Sequence, residues 1–240
     1  MNIKKHIPNF FTCMNLLCGC VGIVYALKGH FPGNFVMASV LILIAAILDF
    51  ADGFAARIFK VQSELGKQLD SLADMVSFGV LPGMIVFRLL AESSNLTSEN
   101  EYLVFASFLI PVFSAIRLAK FNLDARQTGS FIGLPTPANA IFISSFPFII
   151  EQYTPLQPNL LFSKLGLETF HTLILNTPFL FAICIIMSLL LVSPIRLFSL
   201  KFKDFSVADN KVRYIFVGLS VALLILFQFI GIPLIILLYI

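Results

Sequence analysis

The chain has 240 residues, 58% hydrophobic and only 12% charged, with a mean hydropathy of +0.94. Soluble domains carry about twice that charged fraction, so the composition excludes a soluble domain with a single anchor and points to an all-α, polytopic membrane bundle. The net charge of +3 is small, no nucleic-acid partner is expected, and the placement of the charges carries more information than their sum.

Taken in chain order, apolar runs occupy 9–27, 35–58, 68–91, 101–121, 137–152, 176–200 and 212–229, with a short run at 231–240. A spanning helix needs about 20 residues, so six to eight spans are expected, with eight preferred. Pro147 interrupts the fifth run, and Gly231–Pro233 separates the last two, which form either a kinked helix or a hairpin whose second arm ends early. The stretch 153–175 reads as an irregular outer segment. Residues 1–240 are expected to form one membrane domain, with a catalytic core over about 7–200 and the hairpin or kinked helix at 212–240. The cysteines Cys13, Cys18, Cys20 and Cys184 sit in apolar runs without zinc-site spacing, as packing residues do.

Lysine and arginine divide unevenly between the two sides that this layout defines. Lys4, Lys5, Arg57, Lys60, Lys67, Arg117, Lys120, Arg126, Arg196, Lys201, Lys203, Lys211 and Arg213 fall on one side, against Lys28, Arg88 and Lys164 on the other: 13 of 16. The positive-inside rule makes the first side cytoplasmic, in a bacterial-type cytoplasmic membrane, with the N-terminus on that side.

The segment from Leu48 to Gly79 breaks the apolar pattern with Asp49, Asp52, Asp70 and Asp74, four aspartates in 26 residues. Asp49 and Asp52 are i, i+3; Asp70 and Asp74 are i, i+4. Each pair therefore shares a helical face. If the two helices pack antiparallel, four carboxylates converge at membrane-entry depth. A carboxylate at the bilayer centre costs about 2.5–3.5 kcal/mol, and four of them in contact need positive charge between them. Arg57 alone is too little, whereas hard divalent ions, Mg²⁺ or Mn²⁺, prefer carboxylate oxygens. Gly53, Ala56 and Gly66 are small enough for a helix or a flat ligand to come close. Arg57 shares roughly the face of Asp49 and suits a phosphate. Metals, an arginine and a spare carboxylate make a phosphoryl-transfer site.

The pattern Asp49-x-x-Asp52-Gly53-x-x-Ala56-Arg57, then Gly66, Asp70 and Asp74 at fixed spacing, resembles the signature of the CDP-alcohol phosphatidyltransferases at all eight constrained positions. The resemblance implies that Asp49, Asp52 and Asp70 bind two divalent ions and that Asp74 completes the shell and accepts a proton. It also implies that Gly53, Arg57 and Ser63 contact the CDP-lipid, with Ala56 leaving room near the nucleotide and Gly66 part of the same lipid site. It suggests a homodimer as well.

Two further segments, Ile7–Gly19 ("IPNFFTCMNLLCG") and Ala115–Ala140, with "RLAKFN" and "FIGLPTPA", are similar to the phosphatidylserine synthases of the membrane type. That similarity implies CDP-diacylglycerol and L-serine as substrates, with phosphatidylserine and CMP as products. For the serine carboxylate, Arg117 is the first choice because a guanidinium matches it bidentately. Lys120, Asn122 and Arg126 are further candidates for the serine site. Basic residues at a helix end also snorkel and set topology, so these roles stay open at this point. The alternatives are another acceptor, glycerol 3-phosphate or inositol phosphate, or a divalent-cation transporter. An intramembrane prenyltransferase would need two aspartate clusters, and the sequence has only the one.

Overall fold

The structure, a computed structural model, describes residues 6–28, 33–61, 63–123, 130–152, 163–198 and 210–240. It is a helical membrane bundle. Helix α1 (Ile7–Leu27) carries Pro8 in its first turn, where the missing N–H costs nothing. Helix α2 (Gly33–Phe59) returns beside it. Helix α3 (Glu64–Asp74) is capped by Ser63, whose Oγ accepts from the Gly66 N–H at 3.0 Å. It runs without a break through a π-helical turn (Met75–Val80) into α4 (Leu81–Ala91). A 3₁₀ turn (Glu101–Phe108) leads into α5 (Leu109–Leu123). Then follow strand β1 (Ser130–Ile132), α6 (Thr136–Gln152), α7 (Ser163–Ile174), α8 (Thr177–Val192), strand β2 (Arg196–Phe198), α9 (Lys211–Phe227) and α10 (Gly231–Tyr239).

Among the described residues, five helical stretches are long and apolar enough to cross a bilayer by length and composition: Ile7–Leu27, Asn34–Phe59, Glu64–Ala91, Glu101–Leu123 and Lys211–Tyr239, the last of them broken at Gln228. The shorter helices α6 and α8 are apolar too. The core runs through the middle of the bundle, where Phe78, Leu81, Ile85, Leu89, Ile110, Ile143 and Ile149 are fully buried. The outside is apolar as well. Ile47, Phe50, Phe54 and Ile58 stand exposed along α2, and α9 buries no side chain at all. Lipid tails are the solvent that such a surface requires.

Three expectations need correction. The run at 176–200 stops being helical at Val192, because Pro194 cannot continue a helix and biases Ser193 towards extended backbone; the chain then forms β2. The stretch 153–175 is not irregular throughout, since α7 occupies Ser163–Ile174 and seats Ile174 and Phe170 against the core. The final run does not make an eighth span. Gln228 adopts φ 50°, and the chain folds back so that Tyr239 stacks edge-on against Phe198 and packs on Phe216. Gly231 approaches Leu223 so closely that a Cβ would lie 2.6 Å from its carbonyl oxygen. Nine residues of α10 cover about 14 Å, less than half the hydrocarbon thickness.

Glycines set two approaches that position the site. A Cβ on Gly19 would lie 2.5 Å from Ser77 Oγ, so α1 lies directly on the π-helical turn. Gly133, at φ 77°, donates to the Ile195 carbonyl at 2.9 Å, and Leu134 donates to Leu190 at 2.9 Å. These bonds pin the entry of α6 to the end of α8, where β1 and β2 pair antiparallel with Ile132 opposite Arg196. A Cβ at Gly133 would lie 2.4 Å from the Leu191 oxygen. Gly133→Ala is therefore expected to destabilise the protein by about 2–4 kcal/mol, from left-handed backbone strain plus the clash, read as a lower midpoint of thermal unfolding in detergent.

Candidate active site

The carboxylates gather at one end of the bundle, where α1 begins, α2 ends and α3 begins. One side-chain oxygen each from Asp49, Asp70 and Asp74 lies within 4.8 Å of the others. Asp52, one turn along from Asp49, is buried beside them and accepts a hydrogen bond from the Thr12 hydroxyl at 2.7 Å. Asp74 is also buried, and its Oδ1 accepts from Asn15 Nδ2 at 3.2 Å. Asn15 is held in turn by its carbonyl, which accepts from Ser77 Oγ at 2.9 Å. Helix α1 thus braces an aspartate of α2 and an aspartate of α3 with residues three apart on one of its faces.

Thr12 and Asn15 each hold one of the clustered aspartates, contacts that the motif alone does not reveal. The signal was present: Asn9, Thr12 and Asn15 recur every third residue in an otherwise apolar run. Asn9 belongs to the same contact, since a Cβ on Gly66 would lie 3.2 Å from its Oδ1. Gly66 lets α3 seat against α1. The π-helical turn immediately after Asp74 is a second unannounced feature, of a kind often found at functional sites.

The cluster suits a divalent cation. Hard cations take carboxylate oxygens at about 2.0–2.6 Å, so ligands of one ion lie up to about 4–5 Å apart, as these three do. Asp70 Oδ1 is buried with no hydrogen-bond partner among the described residues, an arrangement that a cation would resolve and that costs about 1–3 kcal/mol without one. All four donors are hard oxygens.

The expected lipid-side residues lie along the open flank of α2. Gly53 is exposed, and a Cβ there would meet nothing within 4 Å. Ala56 is half-buried. Arg57 is exposed, and its Nε donates to the Gly53 carbonyl at 2.9 Å, so the guanidinium lies back along its own helix. Ser63 is exposed and engaged as the α3 cap.

The four acceptor-side candidates separate. Arg117 is buried, stacked over Phe121 at 4.9 Å and within electrostatic reach of Asp74 and Tyr239. It has no hydrogen bond or ion pair among the described residues. Asn122 serves as a strut: its Nδ2 donates to Ser71 Oγ at 2.8 Å and its backbone carbonyl accepts from Lys67 Nζ at 3.2 Å. Its amide nitrogen is thereby taken up in joining α5 to α3. Lys120 is exposed, and Arg126 lies outside the described residues.

A family model described as CDP-alcohol phosphatidyltransferase matches residues 5–170. Among similar curated proteins is a CDP-diacylglycerol–serine O-phosphatidyltransferase of Helicobacter pylori strain J99, 30% identical over 230 residues, covering 89% of this chain and 93% of the relative. Proteins of the same name from Bacillus subtilis strain 168 and Methanocaldococcus jannaschii are similar over shorter stretches. The first is 33% identical over 55% of this chain and 70% of its own length, the second 30% identical over 61% and 63%. With four carboxylates on the motif's spacing drawn together at one end of the bundle and a family match over most of its length, the chain belongs to the CDP-alcohol phosphatidyltransferase family.

Proposed function

We propose that the protein transfers the phosphatidyl group of CDP-diacylglycerol to L-serine, forming phosphatidylserine and releasing CMP. The observation that carries this reading is the convergence of Asp49, Asp70 and Asp74 near a buried Arg117 that makes no hydrogen bond or ion pair among the described residues. The names of the similar proteins support the same acceptor.

In this reading Arg117 binds the serine carboxylate and orients the hydroxyl towards the lipid-side phosphorus. Asp74 accepts the hydroxyl proton as the serine O–P bond forms and the P–O bond to CMP breaks. Thr12 and Asn15 keep Asp52 and Asp74 aimed. Gly53 and Ala56 leave room for the nucleotide, and Arg57 swings off its own helix to meet the diphosphate. Two ions, Mg²⁺ or Mn²⁺, held by Asp49, Asp52, Asp70 and Asp74 would offset the negative charge of the diphosphate and of departing CMP. A single buried guanidinium balances a monoanionic carboxylate better than a dianionic phosphate, which argues for serine over glycerol 3-phosphate or inositol phosphate. In the sequence layout Arg57, Lys60, Lys67, Arg117, Lys120, Arg196, Lys211 and Arg213 fall on the same side as the aspartates, so the positive-inside rule supports an active site facing the cytoplasm. The reading also includes a homodimer, open to light scattering in detergent.

The test is purified protein with CDP-diacylglycerol, Mn²⁺ or Mg²⁺ and one acceptor at a time, following CMP release and the lipid formed. CMP release with serine is expected. It should vanish after exhaustive chelation and return with either metal. Release with glycerol 3-phosphate or inositol phosphate in place of serine would transfer the assignment to that acceptor. Turnover unaffected by chelation would remove the two-ion mechanism.

A further inference from the structure

The first turn of α6 holds a group of polar atoms that the site described so far does not use. Thr136 and Asn139 are fully buried, three residues apart and therefore on one face. Neither the Thr136 hydroxyl nor either polar atom of the Asn139 side chain has a hydrogen-bond partner among the described residues. Each buried, unmatched polar group costs about 1–3 kcal/mol, and three within one turn is far from the usual pattern of satisfied interiors. An apolar helix face would have cost nothing.

Their position suggests what satisfies them. Helix α6 packs against α2, which carries Asp49 and Asp52, against the π-helical turn that follows Asp74, and against α5, which carries Arg117. Its entry is clamped to the end of α8 through Gly133 and Leu134, so the first turn is a fixed wall and not a free loop. The N-terminal end of a 17-residue helix is its positive pole and favours an anion. A threonine hydroxyl and an asparagine Nδ2 donate, and the neighbouring element brings an unpaired guanidinium.

We infer that Thr136 and Asn139 form, with Arg117, a carboxylate-binding subsite for the acceptor, Thr136 Oγ and Asn139 Nδ2 donating to the oxygen that the guanidinium leaves open. The inference rests on serine being the acceptor. It makes the first turn of α6 the element that separates an amino acid from an amino alcohol lacking the carboxylate, such as ethanolamine.

The test uses the full chain as Thr136→Val, Thr136→Ser and Asn139→Ala. Thr136→Val keeps the shape and loses only the hydroxyl. Its thermal midpoint without substrates should therefore equal or exceed that of the unaltered protein. The serine KM is expected to rise at least about tenfold in Thr136→Val and in Asn139→Ala, about 1.4 kcal/mol each, while the CDP-diacylglycerol KM stays within about twofold. Thr136→Ser should recover the original serine KM. Serine KM unchanged in both variants, both KM values rising together, or a lowered midpoint for Thr136→Val would overturn the subsite. The unaltered protein separates this inference from the reading beneath it. If that protein releases no CMP with serine, the acceptor assignment fails and the subsite fails with it; normal release alongside indifferent variants removes the subsite alone.

Discussion

Asp74→Asn is expected to lower turnover by about 10²–10⁴-fold, the range that a positioned general base contributes, while leaving the fold in place. Asp74 is buried at the last turn of α3, and among the described residues its carboxylate accepts one hydrogen bond, from Asn15 Nδ2. An asparagine can present its amide oxygen to the same donor, so the helix contact survives as the proton acceptor is lost. The variant also removes a carboxylate from the three-aspartate cluster proposed to hold the cations, and both losses act in the same direction. Asp74→Glu keeps the charge but lengthens the arm by one methylene, and a misplacement of about 1 Å can itself cost about 10²-fold. Rates of CMP release and the unfolding midpoint, measured on the same preparations, check this. An asparagine variant retaining a tenth or more of the original rate would take the proton-acceptor role away from Asp74.

Arg117→Ala should act on one substrate and spare the other. Truncating one partner of a buried charged hydrogen-bonded pair costs about 2–5 kcal/mol, so the serine KM is expected to rise by roughly 30-fold or more. The CDP-diacylglycerol KM should hold within about twofold. Arg117→Lys should fall between the two, since lysine restores the charge but not the planar fork. Arg117 is 7% exposed, and its guanidinium rests on the Phe121 ring without an ion pair among the described residues, so its removal severs none of the ion pairs seen there. Steady-state kinetics with each substrate varied in turn provides the measurement. Equal increases in both KM values would mean that Arg117 supports the site as a whole instead of binding the acceptor.

Membrane class, the approximate places of the spans and the two carboxylate pairs were all legible from residue order. Each depends on neighbours within one or two turns: hydropathy over about 20 residues, or the i, i+3 and i, i+4 offsets that bring Asp49 to Asp52 and Asp70 to Asp74. Breakers acted locally as well, although the effect of Pro194 on the end of α8 is plain mainly in hindsight. The fold-back at Gln228 was less accessible, because an apolar run of that length supports a kink and a hairpin equally well. Packing of Tyr239 against Phe198 and Phe216 selects between them.

What local periodicity could not supply was the pairing of distant partners. Thr12 meets Asp52 across 40 positions and Asn15 meets Asp74 across 59; nothing in the apolar run of α1 says which helix its polar face will touch. Among Arg117, Lys120 and Asn122, similar as candidates on paper, burial and partnership distinguish one from the rest. Arg117 is enclosed and unpaired, Lys120 faces outward, and Asn122 is tied to Ser71. Nothing in residue order marks Thr136 and Asn139 as enclosed; packing buries both. Residue order is sufficient for the chemistry of a helical face, because that follows from covalent geometry. Which faces meet, and which polar groups are left without a partner for a ligand to satisfy, depends on how the helices share one interior.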